Sequence, residues 1–319
     1  MNDSSTLHYS YENGVNLSAA ILILLIGVFG AVCNFTVIVF FITGIEKTSF
    51  SLICFFRSVF NFYILVTSFL GLFLPSTILG YSPYSNAAES WNVNLSMSLY
   101  LGNEYQIIVV ALNRFCALFF PRQYPKIFAI GPTCLVLALF YIYRLIVVIY
   151  MTARDVGRGC FYSYSPVTLS WQFPPDDVCL FDDNILLIIL ATFISMTCIN
   201  IVTFLRIIKF YRSFDSHDMD SQRRIRKNAV LFLQTILQDS LYLVDLSFTF
   251  KLSTLSAHRF WTFVSVTLVW ECVHSIDGFI MLLFNERFSS FLRARRESAV
   301  TSSIVLPPKS AVFPLVSVE

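Results

Sequence analysis

Charge is what this 319-residue chain has least of: Asp, Glu, Lys and Arg together make up 13% of it. Globular chains carry about 25%, so there is too little polar surface here to solvate a soluble body of this size. A soluble enzyme or a nucleic-acid binder is excluded on that ground. Histidine is nearly as scarce, with four residues (His8, His217, His258 and His274), too few for a multi-histidine membrane oxygenase or desaturase. There is no Gly-rich phosphate loop, no H-E-x-x-H and no G-x-S-x-G, so nothing supports catalysis and the chain is not read as an enzyme. Neither C-x-x-C spacing nor clustered Cys and His is present, and no metal site and no cofactor is expected. Residues 1–18 lack a basic n-region, so no cleavable signal peptide is expected and the first apolar run must itself direct insertion. Internal repeats, linkers and a second domain are also missing.

What is abundant is apolar surface. The chain is 56% hydrophobic, with 33 Phe, 15 Tyr and a mean hydropathy of +0.69. A bilayer core about 30 Å thick takes roughly 20 apolar residues per helix. Runs of that length fall at about 18–43, 52–79, 92–119, 127–151, 184–210, 228–250 and 259–284. They lack the ten-residue alternation of outer-membrane strands. The pattern predicts an all-α membrane protein, a bundle of seven transmembrane helices over 18–285, between an N-terminal segment 1–17 and a tail 286–319. The sixth run reads as the least apolar.

Lys and Arg concentrate on the cytoplasmic side of membrane proteins. With the N-terminus outside and the C-terminus inside, 17 of the 22 basic residues fall on the inner side, Arg57 among them. The opposite orientation would place those 17 outside. N-out topology leaves Asn2, Asn16 and Asn94 as glycosylation candidates in N-x-S/T sequons at the outer side, whereas the Asn34 sequon falls within the membrane and should be unused. Of eight cysteines, only Cys160 and Cys179 occupy the long outer loop at about 152–183, making them the disulfide candidate in an oxidising compartment. Beyond Asn285, the basic stretch to Arg296 reads as an amphipathic helix on membrane lipids of the inner leaflet.

Ionisable residues inside spans cost a few kcal/mol each on insertion scales and mark functional candidates. Glu104 lies in the third span and Arg144 in the fourth. Asp239, Tyr242 and Asp245 share one face of the sixth, and Glu271, His274 and Asp277 share one face of the seventh. These stripes are expected to face the bundle and bond to one another, to Arg144 or to water, or to contact a ligand or ion.

At the inner end of the third span the chain reads NRFCALFFPRQY, residues 113–124. This resembles the D-R-Y…P-x-x-Y segment of rhodopsin-like G-protein-coupled receptors, with Asn113, Arg114 and Phe115 in the D-R-Y places and Pro121 and Tyr124 at the family's spacing. Asp277-Gly278-Phe279-Ile280-Met281 occupies the place of N-P-x-x-Y, with Asn285 and Phe288 at the later offsets, and Asn34 with Val37 looks like G-N-x-x-V. Asn113 replaces an acid, Gly278 a Pro and Met281 a Tyr. The Cys at the outer end of the third helix, the Trp of the fourth and the C-W-x-P of the sixth are missing. The strings NRFCALFFPRQYPKIF, FLQTILQDSLYLVDLSFTFKL and RFWTFVSVTLVWECVHSIDGFIMLLFNERF resemble nematode serpentine chemoreceptors, most of all class X.

The resemblance implies a plasma-membrane receptor, sensory cilia as its place, and a heterotrimeric G protein and a small-molecule ligand as partners. It assigns G-protein coupling to Asn113, Arg114, Phe115, Pro121 and Tyr124, and an activation switch to Asn34, Asp277 and Asn285. The pocket and polar core would draw on Ser96, Glu104, Asp239, Tyr242, Asp245, Glu271 and His274. Glu271 stands where the retinal-binding branch has its Schiff-base lysine, which excludes an opsin. Ser96 stands where amine receptors carry their aspartate, so that anchor is gone. The competing reading is a transporter or ligand-gated channel whose intramembrane Asp and Glu form an ion path; the absence of repeats and of paired broken helices disfavours it.

Overall fold

The computed structural model describes residues 3–44, 47–172, 179, 185–212, 219–285 and 288. Side chains are described from Gly14 onward, apart from those of residues 185–186, 211, 219–225 and 227. Asn2, most of the basic stretch after Asn285 and the tail lie outside the described residues. Among the described residues there are seven long helices: α1 Asp3–Ile42, α2 Ser49–Leu79, α3 Asn86–Phe119, α4 Ile130–Gly157, α5 Ile185–Arg212, α6 Met219–Phe250 and α7 Arg259–Leu283. Most extend beyond their apolar windows, because helical hydrogen bonding continues into the interfacial layers once a membrane segment has nucleated it.

Six of the seven are long and apolar enough to cross a membrane by composition alone. The exception is α3, not α6 as the sequence suggests. Its 34 residues carry Asn92, Asn94, Ser96, Ser98, Asn103, Glu104 and Gln106, and it is tolerated in a membrane because its neighbours enclose it. Ser90, Ser96, Asn103, Glu104 and Asn113 are all fully buried. The outward faces are the reverse. Leu135, Leu139, Ile142 and Ile146 of α4, Ile194, Ile201 and Leu205 of α5, and Leu24, Val28 and Phe35 of α1 are exposed, as lipid contact requires.

Local signals set the helix ends. Thr48 and Ser51 form a reciprocal capping box at the start of α2, and Ser85 caps α3 by accepting from the Ala88 N–H. Gly80, at φ +74°, closes α2 in the left-handed conformation. Pro75 has no N–H and would clash with the carbonyl four residues back, at Gly71. Just before it the backbone widens over Leu65–Phe73 into π-type winding, the Leu74 N–H reaching the Phe69 carbonyl. The Tyr84 hydroxyl donates to the Gly71 carbonyl at 2.6 Å, so the acceptor opposite the proline is satisfied from outside the helix.

Small residues bring α1 and α7 together. A Cβ on Gly30 would meet the Ser275 backbone at 2.6 Å, and the Ser275 hydroxyl donates to the Ile26 carbonyl at 3.0 Å. One helical turn along, Asn34 donates to the carbonyls of Gly30 and His274 and lies against Gly278, whose missing Cβ would stand 2.3 Å from Asn34 Nδ2. Gly278 in the family's proline place is thereby explained: the Asn34 amide fills the space of a side chain. The Asn34 sequon is accordingly buried in a helix seam.

The outer loop between α4 and α5 folds into a hairpin, β1 Ser163–Ser165 against β2 Ser170–Gln172, antiparallel with Tyr164 opposite Trp171. Tyr164 turns inward, stacks on Phe73 at 4.4 Å and shares a 2.8 Å hydrogen bond with Thr77 of α2. Ser90 of α3 accepts from the Tyr162 N–H, Thr267 of α7 donates to the Leu169 carbonyl, and Arg259 joins Asn16 of α1 to the Pro166 carbonyl. Leu169 is the one non-glycine with positive φ among the described residues, at +57°, held there by its burial and by that Thr267 bond. Glu89 of α3 is buried beside this hairpin; burial raises its carboxyl above the ordinary range, and Ser82 and the Tyr164 backbone pull it back. Cys160 and Cys179 are joined in a disulfide, so the bridge closes the loop on itself rather than onto α3.

Gly278→Ala is expected to push Asn34 aside and cost about 1–3 kcal/mol, the usual range for overpacking. Thermal unfolding of purified protein in detergent would measure it. Adding Asn34→Ala should recover part of the loss, and a strictly additive double variant would refute this packing account.

Candidate functional site

The middle of the bundle is a polar layer organised on one carboxylate. Asp277 of α7 accepts from Arg57 Nε at 2.7 Å and Asn61 Nδ2 at 2.6 Å on one oxygen, and from Gln238 Nε2 at 2.8 Å on the other. The Arg57–Asp277 ion pair is almost wholly enclosed, at 3% and 0% side-chain exposure. Asn61 Oδ1 accepts in turn from Asn103 of α3 and from His274 Nδ1, both at 2.8 Å. An amide oxygen only accepts, so the His274 proton is on Nδ1. Tyr141 of α4 donates to Asn103 Oδ1 at 3.0 Å. One connected network thus ties α2, α3, α4, α6 and α7.

Arg57 corrects the sequence-based topology. It is 2% exposed inside the bundle, so the N-out expectation rests on 16 basic residues rather than 17. Arg144, one of the alternative partners considered for the buried acids, packs over Tyr105 at 5.8 Å. The spacing of Arg57, Asn61 and Ser68 along one α2 face, and of Gln234, Gln238 and Asp245 along one α6 face, was the available signal. Isolated polar residues at helical intervals in apolar segments mark an inward stripe.

The remaining candidates separate into layers. Nearer the outer side, Tyr100 of α3 donates to Asp245 Oδ2 at 2.6 Å and stacks on Tyr242 at 5.6 Å between ring centres. Tyr242 lies beneath the Arg57 guanidinium at 4.9 Å. Trp270 packs edge-on against Phe69 and Tyr100, and Tyr164 closes this aromatic chamber from above. Asp239 pairs with Asn200 of α5 at 2.9 Å. Ser96 faces α2, bonded to Ser68 at 2.6 Å, and does not point into the chamber. Glu271 lies in the seam with α1 and α2, near Gly27 and Leu70, and neither of its oxygens has a hydrogen-bond partner among the described residues. Glu104 is likewise fully buried with both oxygens unpartnered among the described residues. Asn94 is half-buried on α3 and Asn16 is engaged by Arg259. Among the described residues no group of three or more His, Cys, Asp and Glu could hold a metal ion.

At the inner end Asn113 does not pair with Arg114. It donates to Ser49 Oγ at 3.2 Å and Tyr124 Oη at 3.3 Å, tying α3 to α2 and to the one-turn helix Tyr124–Ile127. Arg114 is 4% exposed and stacks on the Phe50 ring at 3.7 Å, with Nε and Nη2 lacking hydrogen-bond partners among the described residues. Phe115 stacks on Phe119 at 4.4 Å, and Pro121 is exposed in the turn that follows. Leu118, Ile207 and Phe232 bring α3, α5 and α6 into apolar contact and close the inner mouth. Phe288 packs on the Cys33–Val37–Met281 cluster beside Asn285.

The family profile described as "Serpentine type 7TM GPCR chemoreceptor Srx" matches residues 24–285. The chain belongs to the Srx family. Serpentine receptor class X 45 of Caenorhabditis elegans is 26% identical over 297 residues, covering 86% of this chain and 80% of that one. The crystal structure of squid rhodopsin superposes with a TM-score of 0.67 at 14% identity, over 93% of this chain and 89% of that chain, which establishes the seven-helix fold. This Srx receptor is a multi-pass plasma-membrane protein of the G-protein-coupled chemoreceptor type.

Breaking the central pair should be severe. Arg57→Met and Asp277→Leu are each expected to destabilise the receptor by about 3–5 kcal/mol, because each strands a buried charge. The double variant should lose less than the sum. Thermal unfolding of the three proteins tests this, and additive losses would show that the two side chains do not interact.

Proposed function

We propose that this Srx receptor, oriented with its N-terminus outside, binds a small external molecule and activates a heterotrimeric G protein through the inner ends of its helices. The observation that carries this reading is the state of Arg114. It is a buried guanidinium at the mouth of the bundle, stacked on an aromatic ring, and two of its nitrogens, Nε and Nη2, have no hydrogen-bond partner among the described residues. A cation–π contact is worth about 2 kcal/mol when desolvated, and it consumes none of the hydrogen-bonding capacity. When α6 leaves its apolar contact with α3 and α5, those donors become available to the carbonyl end of an inserted helix. A ligand drives that opening only through its preference for the open bundle.

The orientation is supported by the 16 basic residues that stay on the inner side and by the disulfide in the opposite loop. Sensory cilia follow from the family alone. An ion path is less well supported, since the acids form no continuous file: Asp277 is fully engaged, Asp239 is bonded to Asn200, and Glu271 lies in the α1 seam.

Nucleotide exchange on a G protein in reconstituted membranes tests the reading. Arg114→Ala should abolish receptor-dependent exchange at matched receptor levels; undiminished exchange would sink it. Asn113→Asp places an acid beside Arg114 and should lower basal exchange by at least about fivefold, the low end of ordinary coupling energies. An unchanged basal rate would mean that Phe50 and the apolar contacts alone set the resting state.

A further inference from the structure

The outer layer holds acid without counter-charge. Glu104 and Tyr100 are one turn apart on α3, Asp245 and Tyr242 are one turn apart on α6, and the two pairs face each other. Tyr100 stacks on Tyr242 and bonds to Asp245, and Glu104 lies within electrostatic range of Asp245 and of both phenols. Four oxygens in this small region have no hydrogen-bond partner among the described residues: both of Glu104, Oδ1 of Asp245 and the Tyr242 hydroxyl. All three side chains are at most 5% exposed. Buried polar atoms in native proteins are almost always satisfied, and a carboxylate left unpaired in a membrane interior is costlier still.

The nearest guanidinium is already committed, since Arg57 bonds to Asp277 and packs on the far side of the Tyr242 ring. The described residues offer no metal cluster here. What the four side chains do offer is unpartnered acceptors, both oxygens of Glu104, Oδ1 of Asp245 and the Tyr242 hydroxyl, set among aromatic rings, a lining suited to the positive charge and N–H donors of an organic ammonium ion.

We propose that Glu104 and Asp245, walled by Tyr100 and Tyr242, form the binding site for a small organic ammonium ion between α3 and α6. This rests on the receptor reading and names its ligand class. It also replaces the anchor that Ser96 lacks, two turns deeper in the bundle. Because Tyr242 carries the Arg57 guanidinium on its other side, an occupant bridging α3 and α6 acts directly on the Arg57–Asp277 pair and thus on the position of α6.

The test is thermal unfolding of the full-length receptor in phosphatidylcholine nanodiscs with ethylammonium or tetramethylammonium chloride. Sodium chloride at equal ionic strength and ethanol at equal concentration are the controls. Ammonium should raise the unfolding temperature of the wild type in a saturable way up to about 50 mM, and the controls should not, since only a ligand that binds the folded state shifts its stability. Glu104→Gln and Asp245→Asn should each weaken the apparent affinity by at least about thirtyfold, the low end for removing one partner of a buried charge contact.

No ammonium shift in the wild type, an equal shift with ethanol, or an undiminished shift in both variants would each overturn the proposal. The wild-type comparison stands even where a variant fails to fold. Nucleotide exchange on the same nanodiscs separates the two readings. Exchange that depends on Arg114 without an ammonium shift removes the ammonium site and leaves the receptor. An ammonium shift without exchange keeps the site and removes the coupling.

Discussion

Inside a bilayer there is no water to complete a hydrogen bond, so a buried carboxylate must find its donors within the protein. Asp277 finds three, from α2 twice and from α6 once, and that requirement fixes much else. The guanidinium that neutralises it must come from a position one turn below Asn61, which sets the rotation of α2. Asn61, having given its amide to Asp277, presents its oxygen to α3 and to His274, which sets their heights. Tyr141 of α4 then reaches the same cluster through Asn103. A shift of any of these helices by one residue would strand at least one buried hydrogen-bonding group. The ion pair adds little net stability over an apolar pair of the same shape, but it leaves few alternative packings.

The same layer links the two ends of the receptor. Gln238 on α6 is a direct donor to Asp277, so α6 cannot tilt freely without stretching that bond. Below, the contacts of α6 among the described residues are mainly apolar, Phe232 with Leu118, Ile207 and Phe204 and Leu231 on the Phe50–Ile53–Val110 cluster, beside one long Gln234–Cys54 hydrogen bond; apolar contacts are non-directional and weaken gradually with distance. A helix pinned by a directional bond at mid-height and by a soft contact at its inner end is one whose inner end moves most easily. Asn113 meanwhile is bonded to Ser49 and Tyr124, so the segment after α3 is secured independently of Arg114. The inner end of α3 is firm while its arginine is free.

Much of the fold was legible because hydrophobic runs and basic residues report directly on the bilayer. The seven spans and the inward stripes of α6 and α7 came from local pattern alone. What was not legible was partnership. Arg57 lies ten residues from Lys47 and reads like one more inner-surface charge, since nothing in its neighbours along the chain announces Asp277. The polarity of α3 depressed its apolar signal for the same reason that it is central: Ser96, Asn103 and Asn113 are polar because they are enclosed. Glu271 and Asp277 share a helical face by spacing, yet one ends in the α1 seam and the other in the network. Inter-helix geometry, including the space left at Gly278, decides that difference. Asn94 and Asn16 show the same limit, for a sequon does not reveal that Arg259 holds its asparagine.

The hairpin over the bundle is fastened by hydrogen bonds to α2, α3 and α7, and through Arg259 to Asn16 of α1, while its disulfide closes a ring within the loop. Its attachment and its internal bracing are therefore separate. The Cys160–Cys179 bridge leaves the registry of α3 unconstrained, as it would not if one of the cysteines were anchored on that helix. The loop behaves as a cap braced on itself: its internal closure could be lost or rebuilt while the seven-helix frame beneath it stays untouched.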